Sequence, residues 1–549
     1  MAWYDEAVFY HIYPLGLTGA PKQNDYGEPV SRLRAVFPWI AHIKEIGCNA
    51  VYIGPLFESV GHGYETTDYK KLDSRLGTNR DLADFVKKCH EEGIHVILDG
   101  VFNHTGRDFF AFRDILKNRE QSCYRDWYQN VNFYGDNEYH DGFSYDNWGG
   151  YNLMAKLNLR NPAVKEYLQD VIRFWVSEFD IDGLRLDAAD VLDFEFMRTL
   201  RQTANQVKAD FWLMGEVIHG DYSRWVNDGT LHSVTNYQLH KALYSGHNDH
   251  NYFEIAHTVK RLYEMGQGNP NGFRLYNFTD NHDVERIFTK LMNKAHYMPV
   301  HILLYTLPGI PSVYYGSEFG IEGKKVRGTD DPLRPALNLD DFGDAVHENG
   351  CTRLIAALGK VRGETPALSY GDYKECCLTN RQYAFSRTYQ NVTAVIAVNN
   401  DEQGSWMSIP VNAGNGQEYV GRLSGNRVCV SDGRLNAEIA GSSGEIFVPL
   451  AQGTEETAPV CKGCSEQIKN QNIPEKDIRT EEHKECPERE VREIKEVEDK
   501  PYEEMTIEEL QNAILQKMSK NGPVTEQMIG TVRENVYHNS LINWVKSFR

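Results

Sequence analysis

The segment GLRLDAAD, residues 183–190, decides the fold. Two leucines alternate with an arginine and an aspartate, and in a strand alternate side chains point to opposite faces. Leu184 and Leu186 therefore share one face, and Arg185 and Asp187 share the other. In a closed barrel one face meets the surrounding helices and the other points inside. The leucines belong under helices, so the charged pair points inward, near the C-terminal end of the strand. Burying charges is costly unless they are paired or in use. From this strand alone, a structural salt bridge is as good a reading as a functional site.

The neighbourhood repeats the pattern. NAVYIGPLF (49–57) reads as a strand, and NRDLADFVKKCHEEG (79–93) follows as a helix, with Leu82, Phe85, Val86 and Cys89 at helical spacing, Asn79 as cap and Gly93 as stop. IHVILDGVFNH (94–104) is the next strand. NPAVKEYLQDVIRFWVSEF (161–179) puts Val164, Leu168, Val171, Ile172 and Trp175 on one helical face, with Asn161 at the cap and Pro162 in the first turn. With AVFYHIYPL (7–15), DFWLMGEV (210–217), LHSVTNY (231–237), GFRLYNFTDNHD (272–283) and GIPSVYYGSE (309–318), eight strands alternate with helical stretches. Eight such units predict a parallel (β/α)8 barrel of the TIM type. A doubly wound open sheet is the alternative.

The remaining chain divides around this frame. Residues 1–104 and 159–364 make the barrel. Residues 105–158 lack a clear helix, are crowded with aromatics, and read as an inserted subdomain after the third strand. Residues 365–451 turn β-like and predict an antiparallel sandwich. Residues 452–505 are charged and poor in apolar side chains, a linker pattern. Residues 506–549 open on TIEE, a capping box, and predict a helical hairpin carrying Leu510, Ile514, Met518, Val532, Val536, Leu541, Ile542 and Trp544, which docks on the body or on a protein partner.

Composition narrows the function. A formal net charge of −20 argues against nucleic acid as a partner. No run of about 20 apolar residues suggests a membrane span, and MAWYDEAVFYHIYPLGL lacks a basic leader, so a cytoplasmic location is expected. The 10 cysteines are too scattered for a disulfide framework. Cys461, Cys464, His483 and Cys486 have the spacing of a zinc site, against the plainer reading of a linker with incidental cysteines.

Strand ends then carry the chemistry. The third strand ends with Asp99, Asn103 and His104, the fifth with Glu216, the seventh with Asp280, His282 and Asp283. Carboxylates from four strands converge on one barrel mouth, where like charges repel and raise each other's pKa. Acid/base chemistry explains that better than packing, and better than a metal, because an arginine and two histidines accompany the acids.

DGVFNH (99–104), GLRLD (183–187), GEV (215–217) and FTDNHD (278–283) resemble the four ordered signature segments of the α-amylase family, glycoside hydrolase family 13. GYETTDY (63–69) and GIPSVYYGSE (309–318) are similar to its flanking motifs. MAKLN (154–158) resembles the MPKLN segment of the neopullulanase, cyclomaltodextrinase and maltodextrin-hydrolase branch, with Ala155 in place of proline. The resemblance covers the chain to about residue 450. It implies a barrel with an inserted domain B, a C-terminal β-sandwich, and retaining cleavage of α-glucosidic bonds. Residue by residue, it makes Asp187 the nucleophile, Glu216 the general acid/base and Asp283 the transition-state stabiliser. Tyr64, His104, Arg185 and His282 become sugar-binding or site-shaping residues, with Asp99 supporting Arg185. Arg185 is expected to keep Asp187 ionised.

Departures from the family pattern sharpen the expectation. Ala189-Asp190 replace the Lys-His pair that serves a product-side sugar and calcium, and the first loop lacks the DxNxDGxGD calcium motif. Only Asn103 matches a calcium ligand, so no cofactor is expected to be required. Ala188 after the nucleophile, where α-1,6-cleaving members often have valine, points to α-1,4 bonds. The expected function is hydrolysis of maltooligosaccharides, extending to cyclodextrins, pullulan or starch fragments. Its rivals are a 4-α-glucanotransferase on the same site and a non-catalytic glucan-binding protein.

Overall fold

The computed structural model describes residues 2–266, 273–450, 467–468 and 506–520. Residues 1–473 form one compact unit and 474–549 a second.

Eight parallel strands build the first unit: β1 (Phe9–Ile12), β2 (Ala50–Ile53), β3 (His95–Gly100), β4 (Gly183–Leu186), β5 (Trp212–Gly215), β6 (Ser233–Val234), β7 (Tyr276–Phe278) and β8 (Ile310–Tyr314). They pair in chain order from β1 to β6, β7 pairs with β8, and β8 returns to β1. The gap between β6 and β7 is spanned by a parallel bridge, Thr235 with Tyr276. There Asn236 N–H donates to the Tyr276 carbonyl at 2.9 Å and Asn236 Nδ2 to Asn277 Oδ1 at 2.8 Å. The sheet is therefore a nearly closed barrel, and the open-sheet alternative falls.

Alternation sorts the two faces as the sequence demands. Phe9, Tyr52, Ile97, Trp212, Met214, Tyr276 and Phe278 fill the barrel's interior cluster. Leu184 and Leu186 join the larger cluster that includes Val171, Ile172 and Trp175 of the covering helix. Each fully buried leucine contributes about 2 kcal/mol of transfer free energy.

Two helices show how local sequence sets the ends. Pro162–Phe179 starts as expected, with Asn161 Oδ1 accepting from Ala163 N at 2.9 Å, and stops at Asp180, whose φ is +56°. Asn79–Glu91 starts one residue earlier than the sequence suggests: Thr78 is the cap, in a capping box with Asp81. Asn79 instead ties the helix start to the preceding strand, accepting from Leu72 N and donating to Lys70 O, both at 2.8 Å.

The insertion after β3 carries a small antiparallel sheet of His104–Gly106, Asn147–Trp148 and Tyr151–Lys156. It also holds a helix, Phe110–Asn118, which corrects the expectation of none. That helix buries Ala111, Phe112 and Ile115, but its cap position is Phe109, which offers no side-chain acceptor. After residue 371 come a six-stranded antiparallel sheet and a two-stranded one, Ser405–Pro410 with Arg434–Ile439.

In the second unit the helix Ile507–Lys520 begins at Thr506. The capping box is present: Thr506 N–H donates to Glu509 Oε2 at 2.7 Å, and Glu509 N–H to Thr506 Oγ1 at 3.3 Å. The Cys461, Cys464, His483 and Cys486 set and the second tail helix lie outside the described residues. Among the described residues no helix is long and apolar enough to cross a membrane.

Candidate active site

Barrel strands place side chains at their C-terminal ends, and here those ends bring charged groups together around Arg185. Its guanidinium is 4% exposed. Nη1 donates to Asp99 Oδ1 at 2.9 Å and to Asp187 Oδ1 at 2.7 Å, and Nη2 lies 2.8 Å from Glu216 Oε2. One cation thus holds three carboxylates from β3, β4 and β5. The Tyr52 hydroxyl donates to Asp99 Oδ2 at 2.8 Å. Gly54 makes room for this arrangement, since a Cβ there would come within 2.4 Å of Asp99 Cβ.

Three carboxylates against one guanidinium leave an excess of negative charge. Burial pushes the Asp187 carboxyl well above its ordinary value; Arg185 pulls it down, while Glu216 and Asp99 push it further up. The expectation that Arg185 keeps Asp187 ionised meets an opposing balance: burial first, and then Glu216 and Asp99, push the carboxyl up against the cation's pull.

Backbone strain helps to aim the pair. Ala188, immediately after Asp187, has φ +45°, a conformation that costs a residue with a Cβ. It turns the Ala188 N–H onto Glu216 Oε2 at 3.1 Å. The Tyr237 hydroxyl reaches Glu216 Oε1 at 3.4 Å and accepts from Asn281 Nδ2 at 3.2 Å.

The third group comes from beyond β7. Burial opposes charge on Asp283, but His282, Arg334 and Arg185 overcome it and hold the carboxyl well below the usual range. His282 Nε2 lies 3.0 Å from Asp283 Oδ2 and 2.6 Å from the Tyr64 hydroxyl. The Tyr64 ring stacks on His282 at 5.7 Å, and its hydroxyl also reaches Asp99 Oδ2 at 3.1 Å. Arg334 Nη2 donates to Asp283 Oδ1 at 2.8 Å, and Arg334 Nε to the His282 carbonyl at 2.9 Å. Asp280, also at this strand end, accepts from Ser317 Oγ and Ile287 N and holds the loops together.

His104 completes the wall. Burial lowers its pKa to about 3, so it is neutral. Its Nε2 lies 3.1 Å from the Tyr64 carbonyl. All eight residues singled out from sequence (Tyr64, Asp99, His104, Arg185, Asp187, Glu216, His282 and Asp283) are thus joined by these contacts. Arg334, Tyr237 and Tyr13 were missed. Tyr13 stacks on His282 at 5.7 Å and lies under the Arg334 guanidinium at 4.7 Å. The only sequence signal for Arg334 is an arginine in a polar loop after the eighth strand.

Asn103 Oδ1 is buried with no hydrogen-bond partner. Among the described residues no three His, Cys, Asp or Glu side chains gather as a metal site.

An acid/base pair on one guanidinium, an ionised carboxylate facing it and neutral imidazole beside them can break a bond that needs proton donation and nucleophilic attack together. The chain's similarities agree with that chemistry. Residues 23–352 match the alpha amylase catalytic domain, and residues 371–447 the alpha-amylase C-terminal domain. A cyclomaltodextrinase of Bacillus sp is 32% identical over 427 residues, 73% of this chain and 74% of that protein. Neopullulanase 2 of Thermoactinomyces vulgaris is 30% identical over 81% of this chain and 78% of its own. A solved cyclomaltodextrinase structure superposes with a TM-score of 0.72 at 28% identity, covering 82% of this chain and 78% of that one.

Proposed function

The chain belongs to the alpha-amylase family and is a glycoside hydrolase acting on α-glucans, and on that premise we propose that it hydrolyses α-1,4 bonds of maltooligosaccharides with retention, through a covalent adduct on Asp187. Cyclomaltodextrins and pullulan are further substrates in this reading, in line with the names of the relatives. The observation that carries it is the single buried guanidinium of Arg185, which holds Asp187 and Glu216 within one hydrogen bond of itself.

A retaining mechanism needs two carboxyl groups about 5–5.5 Å apart. Two carboxylates bridged by one guanidinium are compatible with that spacing. In the first step Asp187 attacks the anomeric carbon as Glu216 gives its proton to the leaving oxygen. Bonding between carbon and Asp187 forms as the glycosidic bond breaks. In the second step Glu216 takes a proton from water, which displaces Asp187. The proposed reaction starts with the proton on Glu216 and Asp187 ionised. Asp283, held ionised, faces the positive charge that develops on the sugar. His104, held neutral by burial, and His282 line the sugar-binding side of the site in this reading. A cytoplasmic location belongs to the same proposal; the exposed free thiols of Cys123 and Cys429 fit a reducing compartment.

Products from maltoheptaose, pullulan and β-cyclodextrin, separated by chromatography for the wild type and Glu216→Gln, test the proposal. Short maltooligosaccharides from maltoheptaose, released as α-anomers and lost in the variant, are expected. Products longer than the substrate would make the protein a glucanotransferase. Binding with no turnover of any of the three would leave only a glucan-binding role.

A further inference from the structure

Tyr128, Phe143 and Tyr145 of the insertion are buried, whereas Phe110, Tyr134, Tyr139, Trp148 and Tyr151 are exposed. Among the exposed ones Trp148 and Tyr151 are held by a turn. They pair across a two-residue hairpin turn and are 39% and 59% exposed. The turn is Gly149-Gly150, with φ of +62° and +89°, values that glycine supplies at both central positions without strain. Asn147 pins it: Oδ1 accepts from Gly150 N at 2.9 Å and Nδ2 donates to Asn152 Oδ1 at 2.7 Å. An indole is therefore held at a fixed place, half in solvent, with 6.0 Å between its ring centroid and that of His104. Among the described residues its N–H has no hydrogen-bond partner.

A pyranose ring has an apolar C–H face and a polar hydroxyl edge. A fixed indole offers the matching pair, a flat apolar face and one free donor. Packing does not explain its exposure, because the ring leaves much of its area in water beside the site mouth. We propose that Trp148 is a sugar-binding platform, receiving the glucosyl ring that adjoins the one held at His104, so that it sets the preference for chains longer than a disaccharide. The inference rests on the α-glucan reading above, and the platform is continuous with that site through His104.

The test compares full-length wild type, Trp148→Ala and Trp148→Phe on maltoheptaose. Trp148→Ala should raise KM about tenfold and Trp148→Phe about threefold or less, the scale of one lost stacking contact. In both, kcat should stay within about twofold, since no reacting atom is touched. An unchanged KM in Trp148→Ala overturns the platform. So does a kcat that falls along with the melting temperature, which would mean that the indole only supports the hairpin. Should the wild type cleave no glucan, the hydrolase reading fails, and quenching of tryptophan fluorescence by maltoheptaose decides the platform alone. Binding weakened about tenfold in Trp148→Ala would sustain it; equal binding, or none by the wild type, would overturn it.

Discussion

Asp182 and Asp187 flank one four-residue strand, β4, and both are buried, yet their surroundings are opposite. At the lower end Asp182 accepts from His90 Nε2 and Val96 N, both at 2.8 Å, and lies 2.8 Å from Lys208 Nζ and 3.4 Å from His95 Nδ1. Burial alone would raise its pKa; this set of donors holds it well below the carboxylate range. At the upper end Asp187 shares one guanidinium with two other carboxylates, and its pKa is pushed up. Donors outnumber acids at the lower end, whereas at the upper end three acids share one cation. The lower end is built to be stable. The upper end keeps its carboxylates close at an electrostatic cost, which is what a reaction needing one proton between two acids requires.

The largest effect should come from breaking the upper end. Asp187→Asn is expected to lower kcat on maltoheptaose by about 10⁴-fold, the scale for losing a group on the reacting atoms. Its urea midpoint should hold or rise, because a like charge leaves a crowded cluster. A variant that keeps its activity and unfolds earlier would reverse the comparison, making Asp187 the structural carboxylate.

Acid should separate the ends next. The pKa of His90 is raised, chiefly by its hydrogen bond to Asp182, so its contribution is complete below about pH 6.5 and fades only as pH rises through the folded value. The lower cluster therefore survives mild acid. Elsewhere burial lowers His232 and His247 to about 3 and His240 and His301 to about 4. Their folded pKa lies below the unfolded one, so their share of stability is present above about pH 6.5 and drains as pH falls toward 4. Each can cost up to about 1.4 kcal/mol per pH unit in that window. The urea midpoint should therefore drop clearly from pH 7 to pH 5, and a flat profile would contradict the burial of these imidazoles.

Breaking the lower end should be milder. Asp182→Asn removes the charge that His90 and Lys208 face, but both are partly in solvent and both also reach Asp180, which limits the loss to about 2 kcal/mol. Activity on maltoheptaose should not change. If kcat fell instead, the two ends would be coupled through β4 and the division between them would be wrong.

The same strand shows how far the sequence could be read. Alternation put Leu184 and Leu186 under helices and Arg185 and Asp187 inside, because a strand's period is a local property. Asp99, Glu216 and Asp283 were legible for the same reason: each ends a strand, and a barrel sends strand ends to one mouth. Arg334 was not, since it comes from an irregular loop 51 positions after Asp283, where no period links sequence to space. The helix Phe110–Asn118 hid behind an aromatic run and an apolar cap residue. The lower cluster was hidden too: His90 lies 92 positions from Asp182, and only the closed barrel brings them together.

The smallest effect sharpens what holding a carboxylate means at each end. Asp182 is fixed by contacts of 2.8 Å, whereas Glu216 Oε1 meets the Tyr237 hydroxyl at 3.4 Å, at the limit of a hydrogen bond. That hydroxyl also takes the Asn281 amide, and Asn281 Oδ1 accepts from Asp283 N at 2.8 Å, so a thin relay runs from the Asp283 backbone to Glu216. A loose restraint suits the role proposed for Glu216, giving up a proton and regaining it in each turnover. Tyr237→Phe keeps the ring against Phe278 and removes only the relay. It should lower kcat about three- to tenfold, leave KM alone and not move the urea midpoint, as one weak contact to a reacting group would. An unchanged kcat would mean that Arg185 and the Ala188 N–H position Glu216 unaided, and the upper end would then be held almost wholly by the charge it shares.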